Sequence, residues 1–156
     1  MFTRIVVPLD GSDLAEAALA PAEELAGLCR VPIHLVRVLD SSDLLRASGF
    51  PVYDPYIDAT AFQEAIQAEQ DDATRYLAKI ESQARAKNLT VSVETLRGRP
   101  AGEIVAATKP GDLVVMSTHG RGGLTRWFLG SVAESVVRHA SVPVMIVRAG
   151  DVPVTR

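Results

Sequence analysis

A chain of 156 residues with 47% hydrophobic and 22% charged side chains has the size and composition of one folded domain, which excludes a globally disordered chain. A single cysteine, Cys29, excludes an internal disulfide framework and a cysteine-rich zinc site. The formal net charge of -3 offers no overall attraction to nucleic acid, and 5% aromatic residues leave few platforms for stacking bases.

Ile5 to Leu9 is a short β-branched run that ends at Asp10-Gly11-Ser12, the pattern of a buried strand entering a turn. The run is too short for a signal-peptide core or a membrane span, so the expected location is cytoplasmic, with no membrane partner. A helix follows. Ser12 or Asp13 can cap it, Asp13 and Glu16 have capping-box spacing, and Leu14, Ala18, Leu25 and Leu28 recur at helical intervals. Pro21 falls inside this pattern and predicts either a kink or a later helix start. Val31-Pro32 stops the helix, and Ile33 to Leu39 forms the second strand. Cys29 is expected to be a packed core thiol.

Asp40 to Ala59 breaks the rhythm with Gly49, Pro51 and Pro55 beside Phe50, Tyr53 and Tyr56, which predicts a long loop, either a lid or a variable insertion. Thr60 to Asn88 is a long amphipathic helix with Phe62, Ile66, Ala73, Leu77, Ile80 and Ala84 on one face. Val91 to Leu96 makes a third strand, Gly98-Arg99-Pro100 turns the chain, and a short helix starts at Pro100. Asp112 to Ser117 is a fourth strand, Ser131 to His139 a further helix, and Val142 to Arg148 a last strand. One domain over residues 1–149 with a tail over 150–156 is expected. Strands alternate with helices, so the predicted architecture is α/β: an open parallel sheet covered on both faces.

In such sheets ligands sit beyond the carboxyl ends of the strands, where strand order reverses. Two segments lie just after strands and carry unusual chemistry: Pro8-Leu9-Asp10-Gly11-Ser12, and Ser117 to Gly123 with Gly130-Ser131. Gly120, Gly122 and Gly123 remove side chains that would hold a bulky anion away from backbone amides. Gly130-Ser131 stands where a helix begins, and unpaired amides with a partial positive charge at such a terminus favour phosphate. Ser131 can cap this helix and donate its hydroxyl, while Arg121 and Arg126 supply cations for a polyphosphate. No Gly-Lys-Ser/Thr phosphate loop and no GxGxxG after the first strand is present. His119 has no carboxylate partner at a recognisable spacing, so no catalytic residue is assigned. His34, inside a strand, and His139, at a helix end, do not read as metal ligands.

The spacing Ser117-Thr118-His119-Gly120, nine residues, Gly130-Ser131 resembles the G-x2-G-x9-G-[S/T] motif of ATP-binding universal stress proteins of the UspA-like family. The resemblance extends to Ile5–Ser12, Ser131–Glu134 and Val142–Arg148, and is weakest across residues 40–59. It implies a five-stranded parallel Rossmann-like sheet of order 3-2-1-4-5, with ATP between strands one and four and Mg²⁺ carried by the phosphates. Pro8, Leu9, Asp10 and Val38 would then border the adenosine. Ser117, Thr118, His119, Gly120, Arg121 and Gly123 would wrap the phosphates, closed by Gly130, Ser131 and Val132, and Met116 would also belong to the nucleotide site. Ser117 stands where the motif has its first glycine. The implied function is a nucleotide-binding regulator of the stress response. A slow ATPase or self-phosphorylating protein, and a dimeric interaction module independent of nucleotide, are the alternatives. A homodimer through Val142, Val144, Met145, Ile146 and Val147 is expected, since that strand lacks edge protection beyond Pro143 and Arg148. A phosphorelay receiver is excluded, because Arg97-Gly98-Arg99 stands where an acceptor aspartate would follow strand three.

Overall fold

A computed structural model describes residues 1–40, 59–118 and 129–148. Five strands, β1 (Arg4–Pro8), β2 (Ile33–Leu39), β3 (Val91–Arg97), β4 (Asp112–Ser117) and β5 (Val144–Val147), form one sheet of order β3-β2-β1-β4-β5. Every neighbouring pair is parallel. Among the described residues five helices connect them: α1 (Asp13–Glu16), α2 (Leu19–Cys29), α3 (Ala59–Arg85), α4 (Pro100–Ala106) and α5 (Ser131–His139).

Side-chain alternation divides the core into two layers. Ile5, Val7, Ile33, Leu35, Leu113 and Val115 pack against α1, α2 and α3 on one face. Val6, Val36, Val114 and Met116 pack against α4 and α5 on the other. Coverage of both faces explains why the central strands are continuous apolar runs.

The helix after β1 departs from expectation in two ways. Ser12, not Asp13, is the N-cap: its hydroxyl accepts the Ala15 amide, so Asp13 and Glu16 do not form a capping box. The chain then breaks at Ala17–Ala18, ahead of Pro21, which sits in the first turn of α2 where a missing N–H leaves no bond unmade. The buried stripe is alanine rather than leucine: Ala15, Ala18, Ala22 and Ala26 face the sheet, whereas Leu28 is 74% exposed. Cys29 is only half-buried and is not among the core residues. Along α3, Ala73, Leu77, Ile80 and Ala84 are buried as the periodicity predicts, and Phe62 and Ile66 are half-buried. β5 is shorter than expected because Val142 and Pro143 lead into it through a bend. The expected loop and tail lie outside the described residues over 41–58 and 149–156.

Polar contacts tie neighbouring strands together near their amino ends. The imidazole of His34 lies 2.9 Å from Ser92 Oγ through Nδ1 and 2.9 Å from Glu94 Oε2 through Nε2, tying β2 to the edge strand β3. Asp112, at the start of β4, accepts from Arg4 and from the Lys109 amide. Burial by itself raises the Asp112 pKa, but these hydrogen bonds and the Arg4 charge outweigh it and hold the carboxyl below its ordinary value.

Candidate functional site

The strand order reverses between β1 and β4, so the crevice beyond their carboxyl ends is the switch point of the sheet. The Asp10–Ser12 turn leaves β1 at this crevice. Asp10 Oδ1 accepts the Ser12 amide at 2.9 Å and its hydroxyl at 2.6 Å, while that hydroxyl caps α1. One serine thus joins the turn to the helix. Gly11 has φ +84°, a conformation that side chains disfavour.

Ser117 ends β4 beside Val147 and is 7% exposed, so the strand accommodates a side chain where the family motif has glycine. Thr118 follows, its amide donating to Val147 O at 3.0 Å. Its carbonyl then accepts the Gly130 amide at 2.6 Å. This bond brings the two ends of the candidate phosphate loop together at the first residues of α5. Gly130 is the N-cap and no side chain among the described residues caps the helix, which corrects the expected capping role of Ser131. Ser131 instead occupies the first helical position and is exposed. The amides of the first turn have no partner within the helix.

Other residues of the predicted set occupy different environments. Pro8 and Leu9 are buried, and the Leu9 amide donates to Val36 O at 2.8 Å. Met116 belongs to the second core layer, with Val38 and Val132 packed against it. His119, Gly120, Arg121 and Gly123 lie outside the described residues. Among the described residues, no helix is long and apolar enough to cross a membrane.

Comparison with known proteins agrees with this arrangement. The family model of the universal stress protein family matches residues 1–148. The chain belongs to the universal stress protein family. Universal stress protein MJ0531 of Methanocaldococcus jannaschii is 34% identical over 150 residues, 95% of this chain and 83% of that protein. Universal stress protein Rv2005c of Mycobacterium tuberculosis is 33% identical over 92% of this chain, which spans only 45% of that longer relative. Among solved structures, the universal stress protein UspA from Lactobacillus plantarum has a TM-score of 0.79 at 26% identity, covering 94% of this chain and 98% of its own. Two further universal stress proteins share the fold. One from Archaeoglobus fulgidus, in complex with dAMP, has a TM-score of 0.57 at 22% identity, with 93% of this chain and 97% of that chain covered. The other, in complex with cAMP, has a TM-score of 0.63 at 18% identity, with 95% and 98% covered.

Sequence reasoning missed Arg37 and Tyr76. Arg37 is 9% exposed on β2, and its guanidinium lies 5.1 Å from the centre of the Tyr76 ring. The two residues are far apart in sequence and no motif links them. The available signal was a charged residue inside an apolar strand, at a position whose alternation points it into the core.

Proposed function

We propose that this universal stress protein binds ATP, with Mg²⁺ carried by the phosphates, and uses nucleotide occupancy as a regulatory signal in the stress response. The adenosine lies beside Pro8, Leu9, Asp10 and Val38, and the phosphates lie along residues 117–123 and Gly130–Val132. The observation that carries this reading is the Gly130–Thr118 hydrogen bond of 2.6 Å, which brings a helix N-terminus to the carboxyl end of β4 beside the β1 turn. The dAMP and cAMP complexes of family relatives support an adenine nucleotide as the ligand class.

Regulation rather than rapid turnover is supported by Asp10, whose Oδ1 is engaged by Ser12 in holding the turn. A homodimer through β5 completes the proposal. Titration calorimetry with ATP, ADP and AMP, with and without Mg²⁺, tests it. Saturable one-to-one binding supports it, whereas no saturable heat at millimolar nucleotide removes it. A single-turnover assay with labelled ATP, in which product stays at the protein-free level, separates the regulator from a slow ATPase.

A further inference from the structure

Beneath the Asp10–Ser12 turn, a charged group occupies a position that alternation assigns to the core. Arg37 shares a strand face with Ile33 and Leu35, the face covered by α1, α2 and α3, yet its surroundings are not apolar throughout. The Tyr76 ring of α3 lies 5.1 Å from the guanidinium carbon. Gly11 also lies against the guanidinium. A Cβ built on Gly11 would lie 3.3 Å from both terminal guanidinium nitrogens and 3.4 Å from the carbon between them. The planar group therefore lies against both an aromatic ring and the turn at Gly11.

The acids of this neighbourhood come from the turn and the helix after it. The Tyr76 hydroxyl is shut off from solvent and, among the described residues, has no hydrogen-bond partner of ordinary geometry. Burial, the Glu16 carboxylate and the Asp10 charge all push its pKa up, and the Arg37 charge partly offsets them. One cation thus stands against an aromatic ring whose hydroxyl also feels the half-buried Asp10 and Glu16 carboxylates.

We infer that Arg37 is a positioning residue of the nucleotide site: its guanidinium, braced by the Tyr76 ring, holds the Asp10–Gly11–Ser12 turn in the shape that receives the ligand. The identity of that ligand rests on the nucleotide reading above. The packing of guanidinium against Gly11 and Tyr76 stands apart from it. Arg37 acts through the turn backbone, and through it the position of α3 is coupled to the mouth of the crevice.

The test measures hydrogen exchange of the full-length, nucleotide-free protein over residues 10–16, alongside ATP titration. Arg37→Met and Tyr76→Leu are expected to accelerate exchange of the turn about tenfold relative to the amides of β4, and to raise the ATP Kd in parallel. Tyr76→Phe keeps the ring and leaves both readouts at wild-type values. Arg37→Lys keeps the charge but not the flat fork, and does not rescue. Arg4→Gln, which loosens the opposite end of the sheet, lowers the melting temperature without selectively exposing the turn. Wild-type turn protection in folded Arg37→Met or Tyr76→Leu overturns the inference, as does full rescue by Arg37→Lys. Should Arg37→Met fail to fold, Tyr76→Leu and Arg37→Lys still decide. Absence of ATP binding by the wild type removes the nucleotide reading alone, because turn protection is read without ligand.

Discussion

Arg4 and Asp112 clamp the first residues of the two central strands together, at the end of the sheet opposite the candidate site. Arg4 reaches Asp112 Oδ1 through Nε at 3.0 Å and Oδ2 through a terminal nitrogen at 2.5 Å, and Asp112 is 2% exposed. Because the folded-state pKa of Asp112 lies below its ordinary value of 3.8, the clamp's stability is fully present above that value and disappears as pH falls through the folded pKa. Asp112→Asn is expected to cost about 3 kcal/mol near neutral pH, since the Arg4 charge loses its partner. Urea midpoints measured from pH 7 down to pH 2 check both parts: the variant's stability falls less steeply on the acid side.

Ser131 at the first position of α5 allows helix stability and anion affinity to be driven in opposite directions. Ser131→Glu places a carboxylate at a helix N-terminus and is expected to stabilise the fold by about 0.5 kcal/mol. The same charge opposes a phosphate at that terminus and is expected to raise the ATP Kd at least about tenfold. Thermal melts and calorimetry on one sample suffice. Unchanged affinity in a stabilised variant places the phosphates elsewhere.

Two glycines respond oppositely to alanine. Gly27 lies within α2, and among the described residues nothing beyond the helix's own backbone comes within 4 Å of where a Cβ would stand, so Gly27→Ala is expected to stabilise by about 0.5–1 kcal/mol. Gly111 has φ +94°, and its Cβ would sit 2.7 Å from Thr3 Oγ1. Gly111→Ala is therefore expected to destabilise by about 1–2 kcal/mol, and denaturant midpoints of the pair read the difference.

Periodicity and turn residues located β1, β2, β4 and α5 because each has a pattern that burial on a covered parallel sheet requires. Local chemistry was less legible where several residues could serve one role. Ser12 and Asp13 both suit a cap, and only the Ser12 hydroxyl reaches the Ala15 amide. Leu28 has helical spacing from Leu25 but lies outside the alanine stripe that meets the sheet. Ser131 suits a cap by type, yet the chain enters the helix one residue earlier, with Gly130 as the N-cap and its amide on Thr118. The Arg37–Tyr76–Gly11 contact joins three separate elements and depends on strand order, which periodicity does not specify.

The two edges of the sheet differ in a way that favours pairing at β5. β3 carries Glu94 and Arg97, charges that discourage a second strand. Between Val144 and Val147 β5 carries none, and Met145 is 38% exposed on it. The bonds Val114 N to Pro143 O and Thr118 N to Val147 O use odd-numbered residues of this segment, which turns the backbone of Val144 and Ile146 to the outer edge. Val144 and Ile146 already pack on the second core layer, so a partner strand adds edge hydrogen bonds and covers Met145 rather than building a new core. Light scattering at micromolar concentration is expected to give twice the chain mass. Met145→Lys leaves the monomer folded, because the side chain is not in the core, and shifts the mass toward one chain. A wild-type monomer, or a Met145→Lys dimer as tight as wild type, places self-association elsewhere or removes it.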